Sequence, residues 1–334
     1  MKLTLRTFIL IAVIVGMFSL AAQAGPKYKI KVATIAPADT PWHAGFLEVK
    51  KNVEARTNGD VKFLLFMGGQ LGAEIETLEG AQLGTIEMWA GSTGALESLI
   101  SDFGVFDLPF LWNNTDELYH VLDNVVKEPL FQRFDALGLK AVAWSENGWR
   151  HFANKKGPIH TPDDLKAMKW RSQESEVHLA MWDALESTAV PVNMTEVFSA
   201  LQTGMVDGAD NSLLILSATG WWETMKYLTV SNHIYQPGVL AFNQNFWNRL
   251  PEEYQQIITE EFTKSTVYAR TELAKFEPEM IEVFQAMGYE VNELTPEERV
   301  LFAEKTKGVH AKFAQKFKNI LPLIEQGKQD FANK

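Results

Sequence analysis

The chain has 334 residues, a formal net charge of −11 and no cysteine. Lack of cysteine excludes disulfides, thiolate metal sites, cysteine nucleophiles and a lipid-anchored cysteine at a mature N-terminus. The acidic balance argues against nucleic acid or an anionic membrane as partner.

Lys2 and Arg6 precede an almost purely apolar run from Phe8 to Phe18, and Ala22-Gln23-Ala24 follows with small residues at the positions a signal peptidase reads. This layout predicts a cleavable secretory signal over residues 1–24, since the run is too short to span a bilayer comfortably. No later run approaches spanning length, so the mature chain is expected to be soluble, periplasmic and not membrane-inserted.

Tyr28–Thr34 alternates apolar and charged positions and predicts a strand. Thr40-Pro41 opens a helix to about Arg56, with Thr as N-cap and Pro in the first turn, and Asn58-Gly59-Asp60 turns the chain. A strand over Val61–Phe66, a glycine turn over 68–72, a helix over Ala73–Leu83 and a strand over Ile86–Ala90 follow. Such alternation implies a mostly parallel sheet with helices on its faces. Phe106–Leu111 contains Pro109 and reads as an ordered buried loop. Thr115–Leu137 reads as helical, Leu139–Trp144 as a buried strand, and Ser145-Glu146-Asn147-Gly148 as a polar break suited to a domain crossing.

Thr161-Pro162-Asp163-Asp164 starts a short helix. Strand signals recur at Ala167–Arg171, Ala189–Val192 and Val239–Asn243, with helices over Glu174–Glu186 and from Asn193 through Thr203. Val206–Asn211 reads as a tight turn, and Pro251 to about Phe317 as helical with a strand near Tyr289–Val291. The ten tryptophans and the aromatics between Trp221 and Trp247 read as core and hinge packing.

Catalytic and cofactor motifs are missing. The glycine turn lacks both the dinucleotide and the P-loop spacing. Gly91-Ser92-Thr93-Gly94 does not match a nucleophile elbow. The seven histidines have no metal-binding spacing along the sequence. No enzyme activity, cofactor or metal is expected. Two arginines stand out instead: Arg150 after the polar break, and Arg171 at the end of a strand, where open α/β sheets bind ligands. A guanidinium there offers a fork of donors matched to a carboxylate, and the amide of Asn211 offers a further donor. Taken alone, each arginine reads more readily as an ordinary surface salt bridge, and Asn211 equally as an Asx-turn or cap.

Five blocks give the chain a resemblance to a known family: Gly69-Gln70-Leu71-Gly72; Phe106–Leu111; Trp144–Arg150 with Asn154; Thr161–Lys166 leading to Lys169-Trp170-Arg171; and Ala200–Asn211. In this order and spacing the chain resembles the solute-binding proteins of tripartite ATP-independent periplasmic (TRAP) transporters, of the dicarboxylate-receptor (DctP) type. The resemblance covers nearly the whole mature chain. It implies an α/β, two-domain periplasmic binding protein fold with hinge strands and a long bracing helix. Residues 25–147 plus 236–275 would form domain I, and 148–235 plus 276–334 domain II. It implies a small organic acid bound in the interdomain cleft, closure over it, and delivery to the membrane subunits of a TRAP permease, with the receptor a monomer. Arg171 would make the main salt bridge to a ligand carboxylate, helped by Arg150 and Asn211. Ser92, Thr93, Ile35 and Ala36 would face the cleft, and Trp170 and Glu146, in the same motifs as the arginines, complete the expected set.

The sequence departs from the family pattern at Met67 before the glycine turn, at Asp210 before Asn211 where Glu is commoner, and in the acidic segment Gln173–Glu176. Neither arginine is replaced. The competing readings are a receptor for an ATP-driven importer or a chemosensor, and a periplasmic enzyme acting on organic acids.

Overall fold

The structure is a computed structural model and describes residues 25–333; the expected signal over 1–24 lies outside the described residues. Nine strands form one continuous sheet: β1 (Tyr28–Thr34), β2 (Val61–Phe66), β3 (Met88–Ser92), β4 (Leu139–Asn154), β5 (Lys169–Ser172), β6 (Thr188–Pro191), β7 (Gly208–Asn211), β8 (Tyr227–Asn243) and β9 (Glu290–Glu293). Their order is β2-β1-β3-β8-β4-β7-β5-β6, with β9 pairing β8.

The expected mostly parallel sheet is instead mixed. Two parallel wings, β2-β1-β3 and β7-β5-β6, are joined by the antiparallel pair β4 and β8. These two strands run 16 and 17 residues and cross from one wing to the other. β3 pairs the end of β8 at Gly238–Phe242, while β7 pairs the far end of β4 at His151–Asn154. The polar break Ser145–Gly148 is therefore not a gap between elements. It lies within β4 and carries a bulge, where the register slips between Glu146 and Gly148. Gly148 takes φ +99 there, a conformation that glycine adopts without steric cost. The turn expected at Val206–Asn211 is half strand: Gly208–Asn211 form β7.

Local chemistry accounts for the helix boundaries. In α1 (Pro41–Arg56) the Thr40 side chain accepts from the backbone N–H of His43, and Pro41 sits in the first turn. The next helices used below are α2 (Glu74–Leu83), α3 (Glu176–Ala184), α4 (Glu252–Ala286), α5 (Pro296–Phe313) and α6 (Leu321–Ala332). The segment Thr115–Leu137 is helical as expected but not uniform, with a π turn at Leu122–Val126. Pro129 removes a backbone donor and crowds the carbonyl four residues earlier, so the helix widens just before it.

α4 has 35 residues and spans roughly 50 Å at the usual helical rise. Ile257, Ile258 and Phe262 in its first half pack with Val32, Phe63 and Met88 of the first wing. Leu273, Met280 and Phe284 in its second half pack with Ala209, Leu213 and Leu228 beside the other wing. One helix thus shares its apolar stripe between two cores. The C-terminal side chains Val309, Phe313, Ile320 and Ile324, from α5 and α6, return to the core around Phe103, Leu118 and Trp144.

Glu277 of α4 faces the bulge of β4, where its carboxylate accepts the backbone N–H of Trp149. Burial pushes its pKa up to about 7. A carboxyl with a raised folded-state pKa holds its proton longer in the folded chain than in the unfolded one. Its contribution is fully present below the unfolded value near 4.5 and is lost as pH rises through about 7. Glu277→Gln keeps the acceptor without the charge. The variant's melting temperature is expected to match wild type near pH 4.5 and to exceed it at pH 8, by on the order of 1–3 kcal/mol of stability. Parallel melting curves from pH 4.5 to 8 check this.

Candidate functional site

A cleft of about 840 Å³, measured to its open mouth, lies where the carboxyl ends of β1, β3 and β5 meet the crossing of β4 and β8. Strand ends in an open α/β sheet present loops and helix starts to one another, which makes this the ordinary ligand position. The lining combines apolar side chains, among them Ile35, Trp42, Phe46, Ile75, Met194 and Ile215, with polar ones, among them Ser92, Asn147, Arg150, Arg171, Gln173 and Gln236.

Arg171 is the penultimate residue of β5 and is 4% exposed. Strand alternation sends Trp170 and Arg171 to opposite faces. Trp170 stacks on Trp182 with ring centroids 4.9 Å apart in a core beside α3, and Arg171 takes the cleft side. Arg171 donates its Nε–H to the carbonyl of Val192 at 2.9 Å, and its guanidinium lies 5.8 Å from the Trp221 ring centroid. Among the described residues, its two terminal NH₂ groups have no hydrogen-bond partner. Burial, reinforced by the nearby charge of Arg150, lowers its pKa to about 10. It therefore stays cationic at neutral pH: a buried, positioned donor fork without a direct carboxylate partner.

Arg150 differs. It is 1% exposed and fully engaged inside the protein. Its Nε donates to Asp210 Oδ2 at 2.6 Å, Nη2 to the Asp210 carbonyl at 2.6 Å, and Nη1 to Gln236 Oε1 at 3.1 Å. Asp210 Oδ2 also accepts from Nε2 of His178 at 3.0 Å and of His233 at 3.2 Å. For His178 the tautomer follows from the other ring nitrogen, since Nδ1 accepts from the Gln173 backbone N–H. For His233 it follows from Asp210, whose ionised carboxylate can only accept and so takes Nε2–H, while Nδ1 lies 2.8 Å from the Ser231 hydroxyl. Burial alone would raise the Asp210 pKa, but Arg150 and the histidines outweigh it and hold it well below the usual carboxylate range.

His178, Asp210 and His233 are spaced as metal ligands can be, a cluster that spacing along the sequence does not reveal. The same oxygen is already held by Arg150 Nε, so a divalent cation there would face a guanidinium at close range. The cluster suits an ion-pair hub better than a metal centre.

A second buried carboxylate orders the amides. Asp107 accepts from Nε2 of both Gln173 and Gln236 at 2.8 Å, which fixes the orientation of each amide. Gln236 then turns Oε1 toward Arg150 and the amide nitrogen of Asn147.

Of the expected residues, Arg171, Arg150, Asn211, Ser92, Ile35, Ala36 and Glu146 line the cleft. Glu146 is tied to Arg270 of α4 at 2.6 Å and so joins cleft to bracing helix. Thr93 and Trp170 are not among the lining residues; Thr93 is buried in the helical turn that follows β3, and Trp170 belongs to the core behind it. Glu74, Gln173, Asn193 and Gln236 line the cleft without having been singled out in the sequence. The signal for Glu74 was slight: an acid in the first turn of a helix beside a glycine turn, where a capping role is the usual reading.

Two sheet wings, long crossing strands, a shared helix and a cleft with a buried donor fork define a two-domain solute-binding protein. The family of bacterial extracellular solute-binding proteins, family 7 (DctP), matches residues 32–316, and the chain belongs to that family. The C4-dicarboxylate-binding periplasmic protein DctP of Rhodobacter capsulatus is 33% identical over 292 residues, 86% of this chain and 86% of that protein. A TRAP periplasmic solute-binding protein from Sulfurospirillum deleyianum, with bound succinate, matches with TM-score 0.85 at 28% identity, covering 91% of this chain and 99% of that one. Another, from a Polaromonas species and bound to D-erythronate, matches with TM-score 0.86 at 28% identity, covering 90% and 98%. The fold is the two-domain TRAP solute-binding fold. Among the described residues no helix is long and apolar enough to cross a membrane.

Proposed function

We propose that the chain is a monomeric periplasmic receptor that captures a small organic acid and delivers it to a TRAP-type permease after removal of residues 1–24. Domain I is 25–147 plus 236–275 and domain II is 148–235 plus 276–334, hinged where β4 and β8 cross, with the C-terminal side chains reaching back to domain I. The observation that carries the reading is Arg171, a buried cation whose terminal donors are unengaged by the protein and which lines the cleft.

Arg171 meets the ligand carboxylate through its two terminal NH₂ groups. Arg150, already neutralised by Asp210, shapes the cleft wall with Asn211 and adds a more distant positive field. Closure removes water from the ion pair and strengthens it, provided that each polar group finds a partner. The acid stabilises the closed state by its differential affinity, and that state is the one presented to the permease.

A melting-temperature screen of the chain, stripped by unfolding and refolding, tests the reading against organic acids and their matched amides. A rise with an acid and none with its amide is the expected result. Shifts with amines or neutral sugars only would overturn it.

A further inference from the structure

We infer that the cleft selects a monocarboxylate carrying hydroxyl groups on the carbons beyond the carboxylate, and rejects a second carboxylate. The inference rests on Arg171 as the carboxylate anchor and follows from the charges that remain once the internal ion pairs are removed.

Five ionisable side chains line the cleft: Glu74, Glu146, Arg150, Arg171 and Glu174. Glu146 pairs with Arg270 and Arg150 with Asp210, at 2.6 Å each. What is left is one cation, Arg171, and two acids. No lysine and no third arginine is among the lining residues. A dicarboxylate needs a second cationic or multi-donor anchor for its far end. Glu74 and Glu174 line the same cleft and already act on Arg171, so a second carboxylate would add negative charge to a lining that holds two acids, and like charges brought together across a binding surface disfavour the complex.

The same lining suits hydroxyls. Glu74 accepts from the backbone N–H of Ser92 at 2.5 Å and from its hydroxyl at 3.0 Å, and a carboxylate has lone pairs for further donors. Burial pushes the Glu74 pKa up against the Ser92 bonds and the field of Arg171. Gln173 donates its amide to Asp107, and among the described residues its Oε1 has no partner. Asn193 accepts from the Thr195 N–H and hydroxyl through Oδ1, leaving its NH₂ group to donate. Acceptors at Glu74 and Gln173 and a donor at Asn193, all lining the one cleft, match a group that both gives and takes a hydrogen bond. A hydroxyl does this, whereas an ionised carboxylate only accepts. Ile35, Trp42 and Phe46 give the same lining apolar surface suited to a carbon chain.

Titration calorimetry on the stripped chain with two length-matched pairs tests this: D-erythronate against succinate at four carbons, and D-galactonate against adipate at six. The hydroxylated monoacid of the better-fitting pair is expected to bind about 100-fold tighter than its dicarboxylate partner, the scale of one or two hydrogen bonds to a charged group. Glu74→Gln is expected to weaken the hydroxylated acid by roughly 10- to 100-fold while leaving the dicarboxylate unchanged or tighter. A dicarboxylate that binds wild type as tightly as its hydroxylated partner overturns the inference and leaves the carboxylate reading standing. If neither hydroxylated acid binds while an acid without hydroxyls raises the melting temperature in the screen, this inference is overturned and the carboxylate reading stands.

Discussion

Arg171→Ala is expected to raise the Kd for the captured acid by roughly 30- to 5,000-fold, equivalent to about 2–5 kcal/mol, the usual effect of removing one partner from a buried charged hydrogen bond. The fold should survive, because among the described residues the only hydrogen bond of the Arg171 side chain is Nε–H to the Val192 carbonyl. Arg171→Lys should fail nearly as badly. It keeps the charge but loses the planar fork and the Nε–H that aims it. Calorimetry with the best acid of the screen, beside a melting curve for each variant, separates lost binding from lost folding. Near-normal affinity in both variants would remove Arg171 from the site.

Asp210→Ala should act on the other quantity. Asp210 is fully buried and receives Arg150, His178 and His233 on one oxygen. Its removal strands a buried guanidinium and two imidazole donors. Breaking a buried pair in this way costs about 3–5 kcal/mol. For a chain of this size the melting temperature should drop by roughly 5–15 °C. Asp210→Asn keeps the shape and should fall between wild type and Ala. The pH dependence has a defined sign. Asp210 has a depressed folded-state pKa, so its stabilisation is present above the ordinary value near 3.8 and is lost as pH falls through its lower folded value. Acid melting of wild type should therefore be steeper at low pH than that of Asp210→Asn. Equal stability of wild type and Asp210→Ala at pH 7 would mean that the hub does not hold the fold.

The two arginines show why the site was only partly legible beforehand. In the sequence Arg150 and Arg171 look alike, each near a strand end in an unusual context. In the folded chain they divide the work. Arg150 meets Asp210 across β4 and β7, a pairing some sixty residues distant along the chain that no local pattern specifies. Arg171 has no carboxylate across its own pairings, and so keeps its terminal donors for the cleft. Trp170 was expected with its neighbour, but the two-residue period of a strand sends adjacent side chains to opposite faces. Glu74 and Gln173 were passed over because exposed-looking acids and amides carry no local signature. Their meaning lies in Ser92 and Asp107, which reach them only after the sheet has formed.

The amino-acid sequence by itself determined the alternating strands and helices of each wing, the Thr40 cap, the absence of thiol chemistry and, through five spaced motifs, the family. These depend on hydrophobic period, turn residues and capping, all readable within a window of a few turns. Tertiary structure alone decided that β4 runs through Ser145–Gly148 instead of stopping there, and that β8 extends from Tyr227. A polar stretch is held in strand when its backbone groups find partners: β8 runs antiparallel to it through Gly238 opposite Ser145 and Gln236 opposite Gly148, and where Pro237 offers no N–H the Trp42 indole donates to the Glu146 carbonyl. It also decided which charges cancel within the protein and which remain. Arg150 and Glu146 are neutralised by Asp210 and Arg270, residues distant in sequence, and Arg171 remains. That remainder, more than any single motif, gives the cleft its chemistry.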